Sequence, residues 1–540
     1  MSSRVKLFLN LHGSDMSGVS DSGSSAFTTS GPSSRLMYPK TAMEIQLDRH
    51  YQAKVYNSGD AITGSVVIAP LRDIPFDLFE IVLLGVAHTR VDHISTPIHA
   101  NHTFLKLIMP IEESAYPTPR MLEAGKVYTL PLHFVVPHHL TLGACNHKVA
   151  SPHVHSHHTM LPPTMGAYGN RTSSHSSSGN TADWERDDMA PEMASIEYTI
   201  KARIYREAPK EDGCGKNVYS KIVEALHPVR ILPASLVDPP LPISKSDVIY
   251  KLQSNKTVRK GLFARSKIGT VTATTGDERN GTPQPAPIVL RPDAVSAEST
   301  TARVKLLFEP ARPDSQPPHI TGWSAKLTSY THFSATAISS FPNLGGWSQA
   351  ESHNLQRQGT YSTSVVVNNK PLKDQKWEAM VDTGRRDSGY CSTDSADSAA
   401  GSARQVTPPG SPSSKDVGII YSSTLDLEVA LPMHKRTFLP TFHSCILSRT
   451  YSLQLSVTMV PASSTSSSSS SSSASATTVN VTVPLQIVVG ETAIKEDTEG
   501  LPTFEAALEE AEADAHLQPR VLVVPDAQYQ ETSLLPSYSG

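Results

Sequence analysis

The sequence predicts an all-β protein, and three observations predict it. Apolar and polar residues alternate with a period of two in segment after segment, turn residues separate these segments at short spacing, and helical composition surfaces once, near the end of the chain. At 540 residues the length asks for two β-sandwiches in tandem. A chain that is 38% hydrophobic with 41 prolines cannot pack throughout, so its long polar stretches are expected to be disordered.

Taken in order, residues 1–42 read as a mostly disordered segment, Gly/Ser-rich over 13–36, although "RVKLFLNL" ahead of it could add one edge strand. A first sandwich is expected over 43–235. In "NSGDAITGSVVI" a turn at 57–60 leads into a strand that carries Ile62, Val66 and Ile68 inward. "FEIVLLGVA" is apolar on both faces and reads as a central strand. In "SIEYTIKARIYR" the set Ile196, Tyr198, Ile200, Ala202 and Ile204 alternates with charged and polar residues, which is one buried and one wet face. Between these, the His- and Ser-rich stretch 144–193 is expected to be a disordered insertion.

"LPASLVDPPLPIS" then joins the two modules, its prolines stiffening the connection. The second sandwich is expected over 246–490, with alternation at Leu425, Leu427, Val429 and Leu431, at Tyr451, Leu453, Leu455, Val457 and Met459, and from Val479 to Val489. Disordered insertions are expected at 345–416, which is poor in apolar residues, and at 462–476, which holds an unbroken serine run. Such loops are tolerated because the entropy of closing a loop grows only logarithmically with its length. The tail, 491–540, is expected to be disordered around one short acidic helix at "FEAALEEAEADAHL".

Bulk properties exclude several functions. A net charge of -4 gives no field for nucleic-acid binding, so no nucleic-acid partner is expected. The four cysteines Cys145, Cys214, Cys391 and Cys445 are scattered and never form a CxxC pair, which argues against a disulfide scaffold or a zinc ribbon and for a reducing compartment. No apolar run approaches the roughly 18 residues of a membrane span, so membrane contact is expected to be peripheral. The P-loop, GxSxG, HExxH, kinase and GxGxxG patterns are absent, and the chain is expected to be non-enzymatic, with no cofactor. Cys445 reads as a structural thiol within a buried strand.

With these strands in place, "YNSGDAITGSVVI", "FEIVLLGVAHTR" with its long strand ending at Gly85, "LEAGKVYTLPLHFVVPHHL", "LPPTMG" and "ASIEYTIKARIYR" resemble, in order and content, the N-terminal domain of an arrestin. "RKGLFARSKIG", "ARVKLLFEP", "PPHITGWSAKLTSYTHFS" and "FLPTFHSCILSRTYSLQLSV" resemble the C-terminal domain of fungal arrestin-related (alpha-arrestin) proteins. The resemblance implies an adaptor that links integral membrane transporters or receptors to a WW-domain HECT-type ubiquitin ligase, promoting cargo ubiquitination, endocytosis and sorting. It also implies a cytoplasmic protein recruited peripherally to plasma membrane and endosomes. The alternative is a ligase-independent arrestin-fold scaffold for trafficking or signalling.

The motifs supply candidate contacts. "LPSY" places Leu535, Pro536, Ser537 and Tyr538 in the pattern of a WW-domain ligand: the proline presents preformed polyproline II and the tyrosine ring fills the adjacent slot. "GLPTF" offers a degenerate copy at Leu501, Pro502 and Phe504, whose missing hydroxyl loses a hydrogen bond, or else it simply starts the acidic helix. "RRDSGYCS" makes Ser388 and Ser392 candidate phosphosites, within a DSGxxS degron pattern, and "TPPGSP" adds Thr407 and Ser411. Lys251, Lys256, Arg259, Lys260, Arg265 and Lys267 form a candidate basic docking patch for an acidic cargo tail or anionic lipid headgroups, or a lysine-protected strand edge. His138, His139, His147, His153, His155, His157 and His158 crowd around Cys145, but their spacing fits no structural zinc pattern, so the segment reads as a His-rich loop without a metal.

Overall fold

In this computed structural model, residues 42–490 are described, except 52–53, 93–95, 167–186, 208–218, 245–246, 261–265, 276–284, 292–295, 346–356, 373–374, 382–418 and 463–475. The described chain is overwhelmingly β, as its alternation predicts. No helix among the described residues is long and apolar enough to cross a membrane.

The first strands are β1 (Ala42–Leu47), β2 (Val55–Tyr56), β3 (Ala61–Ala69), β4 (Ile74–Pro75), β5 (Leu78–Val91), β6 (Ile98–Ile108), β7 (Met121–Leu122), β8 (Tyr128–Val135), β9 (Ala194–Glu207) and β10 (Tyr219–Ile231). They build a three-stranded sheet in the order β1-β3-β8, a five-stranded sheet in the order β2-β10-β9-β5-β6, and the small pair β4-β7. Both large sheets alternate in burial, and Ile62, Val66 and Ile68 from one join Ile196, Tyr198, Ile200, Ala202 and Ile204 from the other in the core. The turn before β3 forms as expected: Asn57 N donates to Asp60 Oδ2 at 2.8 Å, and Gly59 takes a φ of +86° that a side chain would disfavour.

β5 is the central strand its apolar character predicts, lying between β9 and β6. It does not end at Gly85 but continues to Val91. Gly85 instead marks a shift of register against β6, where a Cβ would stand 2.5 Å from the Phe104 ring. The glycine therefore serves close packing inside the strand and leaves its end to later residues.

The remaining strands are β11 (Gln253–Lys260), β12 (Ser266–Thr275), β13 (Ile288–Leu290), β14 (Thr300–Pro310), β15 (His319–Ser334), β16 (Gln358–Pro371), β17 (Glu378–Val381), β18 (Ile419–Val429), β19 (Phe442–His443), β20 (Leu447–Val460), β21 (Thr477–Leu485) and β22 (Ile487–Val489). One five-stranded sheet runs β11-β12-β14-β18-β17, a second runs β16-β15-β20-β19 with β21 also paired to β20, and β13 pairs with β22. Among the described residues, no strand of the first set pairs with a strand of the second.

Two expected insertions contain order. Within 345–416, β16 pairs along its length with β15, and β17 pairs with β18. A strand held on one side by a backbone ladder and facing solvent on the other needs few apolar residues, so its composition hid it. Within 144–193, residues up to 166 and from 187 are described and carry one helix, α1 (Pro152–His158), between β8 and β9. The 13–36 stretch, the acidic helix and the rest of the tail lie outside the described residues.

The connection at 232–244 has no regular structure but is pinned to the second set: Ser235 N donates to Val489 O at 3.2 Å, and Gln486 Nε2 donates to Asp238 Oδ2 at 3.0 Å. β15 and β20 alternate in burial over most of their length, yet near residues 329–334 and 447–453 nearly every residue is buried. There the second set meets the first.

Candidate functional site

The ends of β15 and β20 carry a run of buried polar residues, Ser329, Thr331, His332, Ser334, Ser448, Arg449, Thr450 and Ser452. Most of these side chains find partners, whereas Thr331 Oγ1, Ser448 Oγ and Arg449 Nε have no hydrogen-bond partner among the described residues. Arg449 has no solvent exposure; its guanidinium donates to Asp188 O at 2.9 Å, to Ser329 Oγ at 3.0 Å and to Met165 Sδ at 3.2 Å. Thr89, at the end of β5, donates its hydroxyl to Ser334 O at 2.8 Å. His332 lies between Thr360 Oγ1 at 3.1 Å and Thr450 Oγ1 at 3.3 Å, and burial, with the Arg449 cation beside it, pushes its pKa down to about 3.

Beside this seam stands a cluster of sulfur and imidazole. After β8 a turn of 3-10 helix (Leu142–Ala144) delivers Cys145. Ser151 then caps α1, accepting from Val154 N, and Pro152 occupies the first turn, where its missing N–H is no loss. The helix buries Val154 and His158, which are four residues apart and so share a face. Cys445 comes from the second set, in the bend between β19 and β20, where its carbonyl accepts from Ile338 N at 2.7 Å. It is buried as expected, but in a bend and not within a strand.

Cys145, His147, His158 and Cys445 each present one donor atom, and these atoms all lie within 4.8 Å of one another. Cys145 Sγ is 3.5 Å from His147 Nε2 and 3.6 Å from His158 Nδ1. The other nitrogen of His147, Nδ1, lies 3.2 Å from the carbonyl of Lys148, which orients the ring toward the sulfur. The Ala144 carbonyl stands 3.8 Å from Cys445 Sγ and 3.1 Å from His102 Nε2. Burial, reinforced by His147, pushes His158 down to about 3, leaving a neutral imidazole with a lone pair to give. Burial and the neighbouring Cys145 push the Cys445 thiol up.

Of the seven histidines in the segment, His147 and His158 join Cys145, while His153 and His157 gather with Asp238, which faces His157 at 3.1 Å. His138, His139 and His155 belong to neither group. The expectation of a His-rich loop without order is therefore corrected: helix α1 and the bend at Cys445 converge two of these histidines on two thiols. Sequence spacing missed the set because its fourth member lies in the other half of the chain, and the one local signal was Cys145 two residues before His147.

Of the basic patch, Lys251, Lys256, Arg259, Lys260 and Lys267 are all exposed, and β11, which carries three of them, is the edge strand of its sheet. Arg259 and Lys267 pair across β11 and β12. Arg265 lies outside the described residues, as do Leu501, Pro502, Phe504, Leu535, Pro536, Ser537 and Tyr538, and the candidate phosphosites Ser388, Ser392, Thr407 and Ser411. No family model matches the chain, and no curated protein matches it.

Proposed function

We propose that this chain is a non-enzymatic, arrestin-like adaptor, two tandem β-sandwiches that engage a membrane transporter or receptor while Leu535, Pro536, Ser537 and Tyr538 recruit a WW-domain HECT-type ubiquitin ligase. The observation that carries the proposal is the conjunction of an all-β body with a Leu-Pro-Ser-Tyr sequence beyond its last described strand. Two sets of sheets with no strand pairing between them among the described residues, and 232–244 joining them, support the tandem arrangement. The exposed basic edge of β11 supports a docking face for acidic cargo tails or anionic headgroups, where each cation contributes about 1 kcal/mol near a charged membrane.

The mechanism is proximity. Tethering the ligase beside the cargo converts a bimolecular ubiquitin transfer into one governed by a local concentration that reaches the millimolar range for short tethers. The adaptor contributes no acid, base or nucleophile of its own. Its site of action is the cytoplasmic face of plasma membrane and endosomes.

The test is binding of the full chain, and of a peptide of residues 531–540, to a panel of WW domains. Micromolar binding that falls at least about tenfold in Tyr538→Ala, a loss of roughly 1.4 kcal/mol, is the expected result, together with loss of cargo ubiquitination. Binding to no WW domain overturns the ligase connection.

A further inference from the structure

We propose that Cys145, His147, His158 and Cys445 form a structural zinc site that pins the first set of sheets to the second. The donor set comes first: two sulfurs and two imidazole nitrogens, the S2N2 combination that selects zinc among common divalent ions. All four positions are filled by the protein, which is the mark of a structural site and not of a catalytic one.

The spacing agrees with that ion. Zinc bonds of about 2.3 Å to sulfur and about 2.0 Å to nitrogen, opened to a tetrahedral angle, place sulfur and nitrogen about 3.5 Å apart. Cys145 Sγ stands 3.5 Å from His147 Nε2 and 3.6 Å from His158 Nδ1. A disulfide between Cys145 and Cys445 would use neither imidazole, yet both are aimed at the Cys145 sulfur, and His147 is held in place through its other nitrogen by the Lys148 carbonyl.

The placement gives the site its role. Three donors come from the short segment between β8 and β9, and the fourth from the bend between β19 and β20, so one ion would hold together two parts of the chain that share no sheet. Cys145, His158 and Cys445 are buried and His147 is partly so, which shields a bound ion from exchange. Binding displaces the thiol protons to solvent and leaves the metal's oxidation state unchanged.

The experiment uses the full chain without an affinity tag, purified under reducing conditions, with zinc measured by elemental analysis and cobalt then exchanged into the site. The expected result is roughly one zinc per chain, lost in Cys145→Ser and in Cys445→Ser and kept in His153→Asn. Cobalt in the unaltered chain should show a thiolate-to-metal charge-transfer band together with the intense visible bands of tetrahedral coordination, a readout that does not depend on any variant folding. Three results overturn the proposal: no stoichiometric metal and no such cobalt spectrum, a Cys145–Cys445 disulfide in the reduced preparation, or metal that survives both cysteine substitutions and leaves with His153→Asn.

Discussion

Among single residues, His332 shows how burial becomes a pH dependence. The folded chain holds its imidazole neutral down to about pH 3, whereas an exposed histidine protonates near 6.5. Between those values the unfolded state binds a proton that the folded state refuses, so stability falls as pH falls through that window and is fully retained above it. The contribution is on the order of 5 kcal/mol at most. Urea unfolding of wild type and His332→Asn from pH 7.5 to 4 measures it: the variant should show the shallower slope of stability against pH, and parallel slopes would refute the assignment. Nothing local in the sequence marked this residue, because "YTHFS" reads as the end of an ordinary strand until its neighbours on both faces are known.

Strands were legible in the sequence to the extent that one face was wet. Ile196 through Ile204 and Val479 through Val483 alternate in the sequence and alternate in burial, since period two is the geometry of the pleat itself; from Pro484 to Val489 the expected alternation gives way to burial on both faces. β16 and β17 escaped because an edge strand can live on its backbone ladder, and α1 escaped because seven residues, four of them histidine, carry too little apolar periodicity to read as a helix. β11 is the element whose exposure bears on the proposed docking face. Replacing Lys256, Arg259 and Lys260 together with glutamate should abolish binding to vesicles rich in phosphatidylserine and to acidic cargo tails. Stability should change by less than about 0.5 kcal/mol per site, because all three side chains are exposed. Sedimentation with vesicles and thermal unfolding check the two halves of that statement, and unchanged vesicle binding would leave β11 as a protected edge only.

Across the whole molecule, Arg449 is one of the side chains, with Thr89 and Arg436, that tie the halves by hydrogen bonds, reaching from β20 to Asp188 O and Met165 Sδ on the other side of the seam. Arg449→Ala leaves a cavity and orphans the Asp188 carbonyl and the Ser329 hydroxyl, at about 3 kcal/mol or more. Arg449→Met fills most of the space and removes a desolvated cation, so it should lose clearly less. Denaturant titration of the pair separates packing from hydrogen bonding, and equal losses would show that the polar contacts carry the seam. Low-complexity breaks and the proline-rich connection mark candidate boundaries in the sequence. The seam could not be read there, because the residues that build it, from Thr89 to Arg449, lie hundreds of positions apart in sequence and meet only in the folded chain.

The pinned connection has one more consequence. Val489 is bonded to Ser235 within the segment that joins the halves, and Gly490 N donates to Leu290 O at 3.0 Å beside it. The chain beyond Gly490 thus departs beside the connection that joins the two sets of sheets. The 45 residues from Gly490 to Leu535 set an upper limit of about 160 Å on the distance between Gly490 and the proposed WW-domain ligand. In the proposed adaptor, a ligase captured at Tyr538 stays within that distance of Gly490, which bounds the lysines it reaches.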